Sequence, residues 1–299
     1  MNQTVAVFGA TGAQGAPVVR EALAKGMTVR AVARNISKIS KLHPEAQAFA
    51  ATLADEDAIT KAMDGVDAAF VHLPIPQSPE DPANWMKAIF GAAHRVSLPL
   101  LVYTTGATSG SRYPSSMMID GATGGIQAVL ASGIPSIVLQ PTIYLENLVP
   151  ELFVPRLRSE GILDYPPLPE NMKVTWTSHQ DQARVAVAAL SRPDLAGKSY
   201  EIGTPEAVTG DQLATQLSEW AGKTVQYAPL SPADFGQRVG DVLGNPGVAF
   251  ALTDLYGALA KMGNDDMAID TNVVEATFDV KLSAIADHIK TWASSKQIA

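Results

Sequence analysis

Three glycines near the start of the chain have a spacing that suits phosphate binding. Gly9, Gly12 and Gly15 form a G-x-x-G-x-x-G pattern between a short apolar run and a segment with helical periodicity. In this position, glycines let the chain turn sharply, let backbone N–H groups approach a pyrophosphate, and let the helix pack closely. The helix N-terminus adds positive potential. The pattern predicts a dinucleotide site rather than an ordinary glycine-rich loop, with contacts from Gly9, Thr11, Gly12, Ala13, Gln14 and Gly15.

A basic residue follows the second apolar run, where sites that prefer NAD usually carry Asp or Glu. Arg34 occupies this position, and Lys38 lies one helical turn later. A guanidinium group can bind a 2′-phosphate through two hydrogen bonds, and the lysine would add a second positive charge. We therefore predict NADP as the cofactor, with NADPH preferred over NADH. The alternative is that both residues are solvated surface cations.

Residues for the reaction itself are harder to identify. Thr104 and Thr105 end a predicted strand, where a hydroxyl group can bind a substrate carbonyl or simply cap the strand. His72 and Tyr144 also lie near predicted carboxyl ends of strands, where open α/β sheets bind ligands. A histidine in an apolar strand can equally be a packing residue, and Tyr144 fits a pocket wall better than an acid. The catalytic candidates are Thr104, Thr105 and Tyr144, and none is assigned.

The elements that position these residues alternate between strand and helix. Strands are predicted over residues 4–8, 28–33, 68–73, 100–104 and 136–139, and helices over 15–25, 56–63, 84–96 and 126–131. Nearly continuous apolar strands joined by helices indicate a parallel sheet covered on both faces. The fold class is therefore α/β, a Rossmann-type doubly wound parallel sheet with a smaller C-terminal α/β lobe.

The texture of the sequence changes after Pro141, where prolines become frequent. We predict a nucleotide-binding domain over residues 1–150 and a smaller substrate-binding lobe over 151–299. Within that lobe, residues 175–203 return to the main sheet through a helix over 181–190 and a strand over 199–202. Helices follow from residue 210 onward.

Composition limits the function classes. The chain has 299 residues, a formal net charge of −8 and no basic run, which disfavours nucleic acid as a direct partner. Without cysteine there is no disulfide or thiolate chemistry, and five scattered histidines do not suggest a metal. No apolar run is long enough to span a bilayer, and no signal peptide is evident. We expect a cytoplasmic protein with a small-molecule partner and no membrane association; its oligomeric state stays open.

The chain resembles the NmrA-like branch of the atypical short-chain dehydrogenases/reductases. The likeness is carried by the turn over residues 9–15, the strand over 29–35 and the segment 133–147 that ends at Asn147. It implies a nicotinamide and substrate pocket edged by that last segment, with a proline-rich stretch after Tyr165 as a rim or as a bridge between lobes. Further cofactor contacts are expected at Thr52, Leu53, Leu73, Pro74, Thr104, Thr105, Gly106, Pro141 and Thr142. Substrate contacts are expected at His72, Tyr144, Asn147 and Tyr165.

Two departures from the family pattern affect the chemistry. Thr52 stands where relatives commonly carry an aspartate near the adenine, so its contact would be through backbone or hydroxyl. The Tyr-x-x-x-Lys acid of the wider superfamily is missing, because Met118 and Ala122 hold those positions. The resemblance also suggests that Asp181 caps a helix rather than reacts.

An acceptor that stabilises its own negative charge suits a site without the tyrosine–lysine acid. The resemblance accordingly implies a quinone reductase or dye reductase, and the predicted function is an NADPH-dependent oxidoreductase acting on a small conjugated acceptor. The alternative is a non-catalytic regulatory protein that senses NADP(H), as some family members do. A reductase of plant-type phenolic metabolites ranks lower, since Ala122 replaces the lysine that it needs.

Overall fold

The computed structural model describes residues 3–294, which form twelve strands and twelve α-helices. The strands are β1 Thr4–Phe8, β2 Thr28–Ala33, β3 Gln47–Ala50, β4 Ala68–His72, β5 Leu101–Thr104, β6 Ser136–Pro141, β7 Ile143–Tyr144, β8 Ile162–Leu163, β9 Val174–Thr177, β10 Lys198–Ile202, β11 Ala207–Val208 and β12 Gln226–Tyr227. The helices are α1 Gly15–Ala24, α2 Ile36–Leu42, α3 Glu56–Met63, α4 Asp81–Arg95, α5 Met117–Leu130, α6 Pro155–Glu160, α7 His179–Ala189, α8 Gly210–Ala221, α9 Pro232–Leu243, α10 Pro246–Leu259, α11 Asn272–Phe278 and α12 Ile285–Ser294. Two 3-10 helices cover Leu145–Leu148 and Pro193–Leu195.

Seven strands form one sheet in the order β3-β2-β1-β4-β5-β6-β10, and every neighbouring pair is parallel. The chain winds outward from β1 in both directions, so the strand order reverses between β1 and β4. In doubly wound sheets, ligands bind in the crevice at the carboxyl ends of the strands beside this reversal. The topology therefore places a binding crevice where β1 and β4 end.

Both faces of this sheet are buried because alternate side chains of each strand point to opposite sides. Val5 and Val7 of β1 belong to one apolar cluster, together with side chains of α1 and α7. Ala6 and Phe8 belong to another, together with side chains of α3 and α4. The predicted doubly wound parallel sheet is confirmed.

A third apolar cluster is formed mainly by residues after position 142 and includes Tyr165, Trp176 and Phe235. It packs around a three-stranded sheet of order β11-β9-β7 and the parallel pair β12-β8. These elements make up the smaller α/β lobe. β10 lies at the edge of the main sheet beside β6, while the division of the chain at residue 150 stays a prediction.

Several element bounds differ from the sequence-based prediction. The prediction omits α2 and β3, and it starts α5 at residue 126 although the helix begins at Met117. β3 is short and half-exposed, so no apolar alternation marks it. Glycines at 121, 124 and 125 weaken the helical pattern of α5, yet Ser116 caps it by accepting a hydrogen bond from the Ile119 N–H.

Within residues 3–294, no helix is both long and apolar enough to cross a membrane. Nor do the described residues contain a group of three or more His, Asp or Glu side chains arranged to hold a metal ion.

Candidate functional site

The glycine turn lies in the predicted crevice and is closely packed. Gly9 directly follows β1 with φ +70°, and a Cβ atom there would lie 2.2 Å from Nε2 of His72, the last residue of β4. A Cβ atom at Gly15 would lie 2.3 Å from the carbonyl oxygen of Gly9. Any larger residue would displace the backbone or the histidine, so both glycines are required by the geometry of the turn.

The same turn presents free hydrogen-bond donors. The Gly12 N–H donates to the Gly9 carbonyl at 2.9 Å, and the Ala16 N–H donates to Gly12 at 3.0 Å. No acceptor among the described residues takes the N–H groups of Ala13 or Gln14. Gly12 and Ala13 are exposed. Unpaired amides at the start of α1 fit the diphosphate of a dinucleotide, as the sequence predicts.

A buried histidine that sequence reasoning missed forms a hydrogen bond to this turn. His43 follows α2, is 2% exposed, and donates from Nε2 to the Ala10 carbonyl oxygen at 2.9 Å. Burial lowers the pKa of His43, so the imidazole holds the turn as a neutral donor. No local motif marks this contact, because it joins positions 33 residues apart.

The two predicted phosphate-reading cations lie at the end of β2. Arg34 and Lys38 are exposed, and neither forms an ion pair with another residue of the described chain. Asn35 caps α2 by accepting from the Lys38 N–H at 3.0 Å, which places Lys38 in the first turn of that helix and Arg34 directly before its cap. Their side chains are therefore free to bind an anion.

Other predicted cofactor contacts follow the ends of later strands. Thr52 and Leu53 come after β3, Leu73 and Pro74 after β4, Thr104 to Gly106 at the end of β5, and Pro141 with Thr142 at the end of β6. Parallel strands bring these ends to one edge of the sheet. Two of the threonine hydroxyls already have partners: Thr105 donates to the Ala107 carbonyl at 2.8 Å, and Thr142 pairs with Thr177 at 2.9 Å.

A buried glutamine, also missed by sequence reasoning, connects the turn to the predicted substrate pocket. Gln182 of α7 is fully buried, and its Oε1 accepts from the Tyr144 hydroxyl at 2.6 Å. The Thr104 hydroxyl lies 3.5 Å from the same oxygen. Gln182 Nε2 donates to Gln14 Oε1 at 3.4 Å. The amide therefore links two catalytic candidates to the glycine turn.

Tyr165 is not a pocket residue, which corrects the sequence-based prediction. Its side chain is completely buried in the core of the smaller lobe, in contact with Phe153, Phe235 and Tyr256. Its hydroxyl accepts from Asn147 Nδ2 at 3.0 Å. These aromatic contacts, rather than the neighbouring prolines, determine where the Tyr165 side chain lies. Its hydroxyl therefore holds the Asn147 side chain in place from the core of the smaller lobe.

The interpretation of Asp181 as a helix cap is wrong. Ser178 is the N-cap of α7 and accepts from the Asp181 N–H at 3.0 Å. The buried Asp181 carboxylate instead accepts from the Ser283 N–H at 2.9 Å and from His288 Nε2 at 2.8 Å. It also pairs with Arg184 at 2.6 Å. Asp181 therefore fastens the C-terminal segment to α7.

Four ionisable side chains lie together beside the crevice. The rings of Tyr144 and His179 are 4.5 Å apart, and His179 Nδ1 lies 3.6 Å from Glu146 Oε2. Glu146 Oε1 accepts from the His179 backbone N–H at 2.9 Å, whereas Oε2 is buried with no hydrogen-bond partner. Both ring nitrogens of His72 are likewise buried without a partner.

Burial changes the pKa of every member of this group. It raises the pKa of Glu146 to about 7, against the opposing effect of the His179 N–H. It lowers the pKa of His179 to about 4, with a further contribution from His72. Burial raises the pKa of Tyr144 well above its usual value. It lowers the pKa of His72, although the nearby Leu73 backbone opposes that shift. Near neutral pH, Glu146 is the member able to gain or lose a proton.

The pKa shifts of Glu146 and His179 predict opposite pH dependences of stability. A carboxyl whose folded pKa is raised destabilises the fold as pH rises from about 4.5 to about 7. We therefore expect Glu146→Gln to match the wild type near pH 4 and to exceed it at pH 8 by on the order of 1 to 3 kcal/mol. A histidine with a lowered pKa destabilises the fold as pH falls from 6.5 to about 4, so His179→Gln should gain stability relative to the wild type over that range.

Urea unfolding at several pH values would measure both differences. Glu151→Gln is a matched control, because Glu151 is exposed five residues further along the chain. Its difference from the wild type should not change with pH. If the difference in unfolding free energy between Glu146→Gln and the wild type does not change with pH, burial does not shift the pKa of the Glu146 carboxyl.

Comparison with known proteins gives the chain a family context. The NmrA-like family model matches residues 1–294. The NAD(P)H azoreductase of Xenophilus azovorans is 29% identical over 254 residues, covering 84% of this chain and 86% of the relative. Quinone oxidoreductase 2 of Escherichia coli K12 is 27% identical over 264 residues, covering 87% and 89%.

Solved structures share the fold. An NADPH-dependent quinone oxidoreductase from Escherichia coli in complex with NADPH superposes with a TM-score of 0.78 at 23% identity, covering 97% of this chain and 99% of that one. The triphenylmethane reductase of Citrobacter sp., complexed with NADP(H), has a TM-score of 0.75 at 18% identity over the same shares. The whole described chain, including the smaller lobe, therefore follows an architecture already seen.

Proposed function

The chain belongs to the NmrA-like family, and from that premise we propose that it is an NADPH-dependent oxidoreductase that reduces a quinone-like or other small conjugated acceptor. The observation that carries the proposal is the glycine turn with unpaired amides, close to two cations that have no ion-pair partner. The relatives named as an azoreductase and a quinone oxidoreductase support the same reaction class.

In this proposal, groups in the crevice bind three parts of the cofactor. The Ala13 and Gln14 N–H groups would hold the diphosphate, and Arg34 with Lys38 would bind the 2′-phosphate. The ends of β5 and β6 would position the nicotinamide. When bound, NADPH supplies the hydride. The chain's own work is to align the acceptor with that donor and to exclude water.

The nature of the acceptor follows from the acids that the site lacks. Met118 and Ala122 lie in the first turns of α5 where a tyrosine and a lysine would stand in the wider superfamily. Tyr144 is buried beside Gln182, and its raised pKa makes it a weak acid. An acceptor that delocalises the charge delivered by hydride needs less help from an acid than a simple ketone does. Quinones and conjugated dyes meet this requirement.

We expect purified protein to oxidise NADPH with 1,4-benzoquinone, a naphthoquinone or an azo dye, and to be inactive with cyclohexanone. Absorbance of NADPH would follow turnover, and calorimetry would measure cofactor binding separately. Tight NADPH binding without turnover on any acceptor would contradict the enzyme and support the alternative, a regulatory protein that senses NADP(H). Absence of binding would contradict both.

A further inference from the structure

Glu146 has one carboxyl oxygen that is buried and unpartnered, and the proposed hydride transfer does not yet use it. Glu146 lies in the 3-10 helix Leu145–Leu148, directly after β7, a short strand that follows β6 and pairs with β9. One oxygen accepts from the backbone of α7, but Oε2 is inaccessible to water and has no hydrogen-bond donor. A carboxylate buried in this way is costly, whereas a protonated carboxyl can keep its hydrogen on that oxygen.

The position of Glu146 Oε2 relative to His179 determines where its proton can go. The nearest ring nitrogen is Nδ1 of His179 at 3.6 Å, a distance that tightens readily when a ligand closes a site. The His179 ring in turn packs on Tyr144, whose hydroxyl reaches Gln182 and through it the glycine turn. The imidazole therefore connects Glu146 to side chains at the crevice; the His179 side chain is 15% exposed and that of Glu146 29%, although the Oε2 atom itself is buried.

Reduction of a quinone by hydride leaves an oxyanion that must take up one proton. Resting on the proposed function, we propose that Glu146 supplies this proton and that neutral His179 conducts it to the oxygen of the reduced acceptor. The Glu146 O–H bond breaks as a His179 Nδ1–H bond forms, while the His179 Nε2–H bond breaks as the acceptor O–H bond forms. The imidazole, which starts with its hydrogen on Nε2, stays neutral, and the carboxyl becomes a carboxylate. A solvent proton then adds to Nε2 as the Nδ1 hydrogen passes back to Glu146, which restores the starting state.

Other nearby groups fit this role less well. Tyr144 is a very weak acid in its buried position, and His72 carries no proton to release as a cation because burial keeps it neutral. From α7 and α12, Asp181 and His288 also face Glu146, but they are engaged with each other at 2.8 Å. The charge of Asp181 favours the protonated form of Glu146, and that of His288 opposes it.

The first test needs neither cofactor nor turnover. NMR of protein with ¹³C-labelled glutamate carboxyls should show one resonance with a midpoint near pH 7, absent from Glu146→Gln and present in Glu151→Gln. If every glutamate titrates in the ordinary range near pH 4.5, the carboxyl holds no proton at neutral pH and the proposal fails.

The second test follows turnover with a naphthoquinone. The wild-type kcat should fall as pH rises above about 7, whereas Glu146→Gln should have a kcat about tenfold lower at pH 7, independent of pH from 6 to 8, with unchanged NADPH affinity. His179→Gln should lose a similar factor, and the double variant no more than either single one. Glu151→Gln should retain the wild-type kcat and pH profile.

The outcomes separate the two proposals. If the wild type turns over and Glu146→Gln keeps its kcat and pH profile, the proton route is wrong while the proposed function stands. If the double variant shows the product of the single losses, the two residues do not act in sequence and the route is also wrong. If the wild type reduces no acceptor, the proposed function fails and the route fails with it.

Discussion

Replacing Arg34 by alanine should weaken NADPH binding about 50-fold while changing NADH binding less than threefold. The guanidinium is exposed at the end of β2 and forms no ion pair with other described residues, so no internal contact competes with a 2′-phosphate. Hydrogen bonds between charged groups contribute about 1.5 to 3 kcal/mol, and loss of about 2.3 kcal/mol corresponds to about 50-fold. NADH lacks the 2′-phosphate, so its affinity should depend little on Arg34.

Calorimetry with both cofactors measures this difference. Lys41→Ala is the matched control, since Lys41 is an exposed cation in the last turn of α2 and tests the loss of a positive charge alone. It should change neither affinity by more than about twofold. An equal loss of NADH and NADPH binding in Arg34→Ala would remove the assignment of the 2′-phosphate to this residue.

Sequence reasoning identified the strands whose burial is strongest. β1 and β2 have the predicted bounds because both are apolar and end at abrupt changes in residue type. It missed β3, a half-exposed edge strand, and the first turns of α5, where glycines interrupt the pattern. In these two elements, pairing and tertiary packing determine the structure more than local preference does.

The candidate site was predictable where its residues are close in sequence. Gly9, Gly12 and Gly15 belong to one turn, so their spacing alone indicates the geometry. Gln182 and His179 were not identified, because they meet Tyr144 and Glu146 only after α7 packs beside the 3-10 helix.

Burial, too, cannot be read from residue type. Tyr165 has the polar tip of a pocket residue, yet three aromatic neighbours enclose it in the smaller lobe. Asp181 stands at a helix start, yet its carboxylate turns to the C-terminal segment. In both cases the deciding partner lies in a distant part of the chain.

Replacing Gly15 by alanine should weaken binding of every pyridine nucleotide by about 100-fold or more. The added Cβ would lie 2.3 Å from the Gly9 carbonyl oxygen and 2.6 Å from its carbon. These are backbone atoms, so the turn itself must move and carry the Ala13 and Gln14 amides away from the diphosphate. Loss of two charge-assisted hydrogen bonds costs about 3 kcal/mol or more, which corresponds to at least about 100-fold in affinity.

The effect in Gly15→Ala should be independent of the 2′-phosphate, in contrast to that of Arg34→Ala, because both NADH and NADPH carry the diphosphate. Gly257→Ala provides the matched control: Gly257 lies within α10, and apart from its chain neighbours and the backbone of its own helix no described atom lies within 4 Å of its added Cβ. That variant should keep full affinity and gain about 0.5 to 1 kcal/mol in stability from helix propensity. Circular dichroism would establish that Gly15→Ala is folded. A folded Gly15→Ala protein with wild-type affinity would mean that the amides of the turn do not hold the diphosphate.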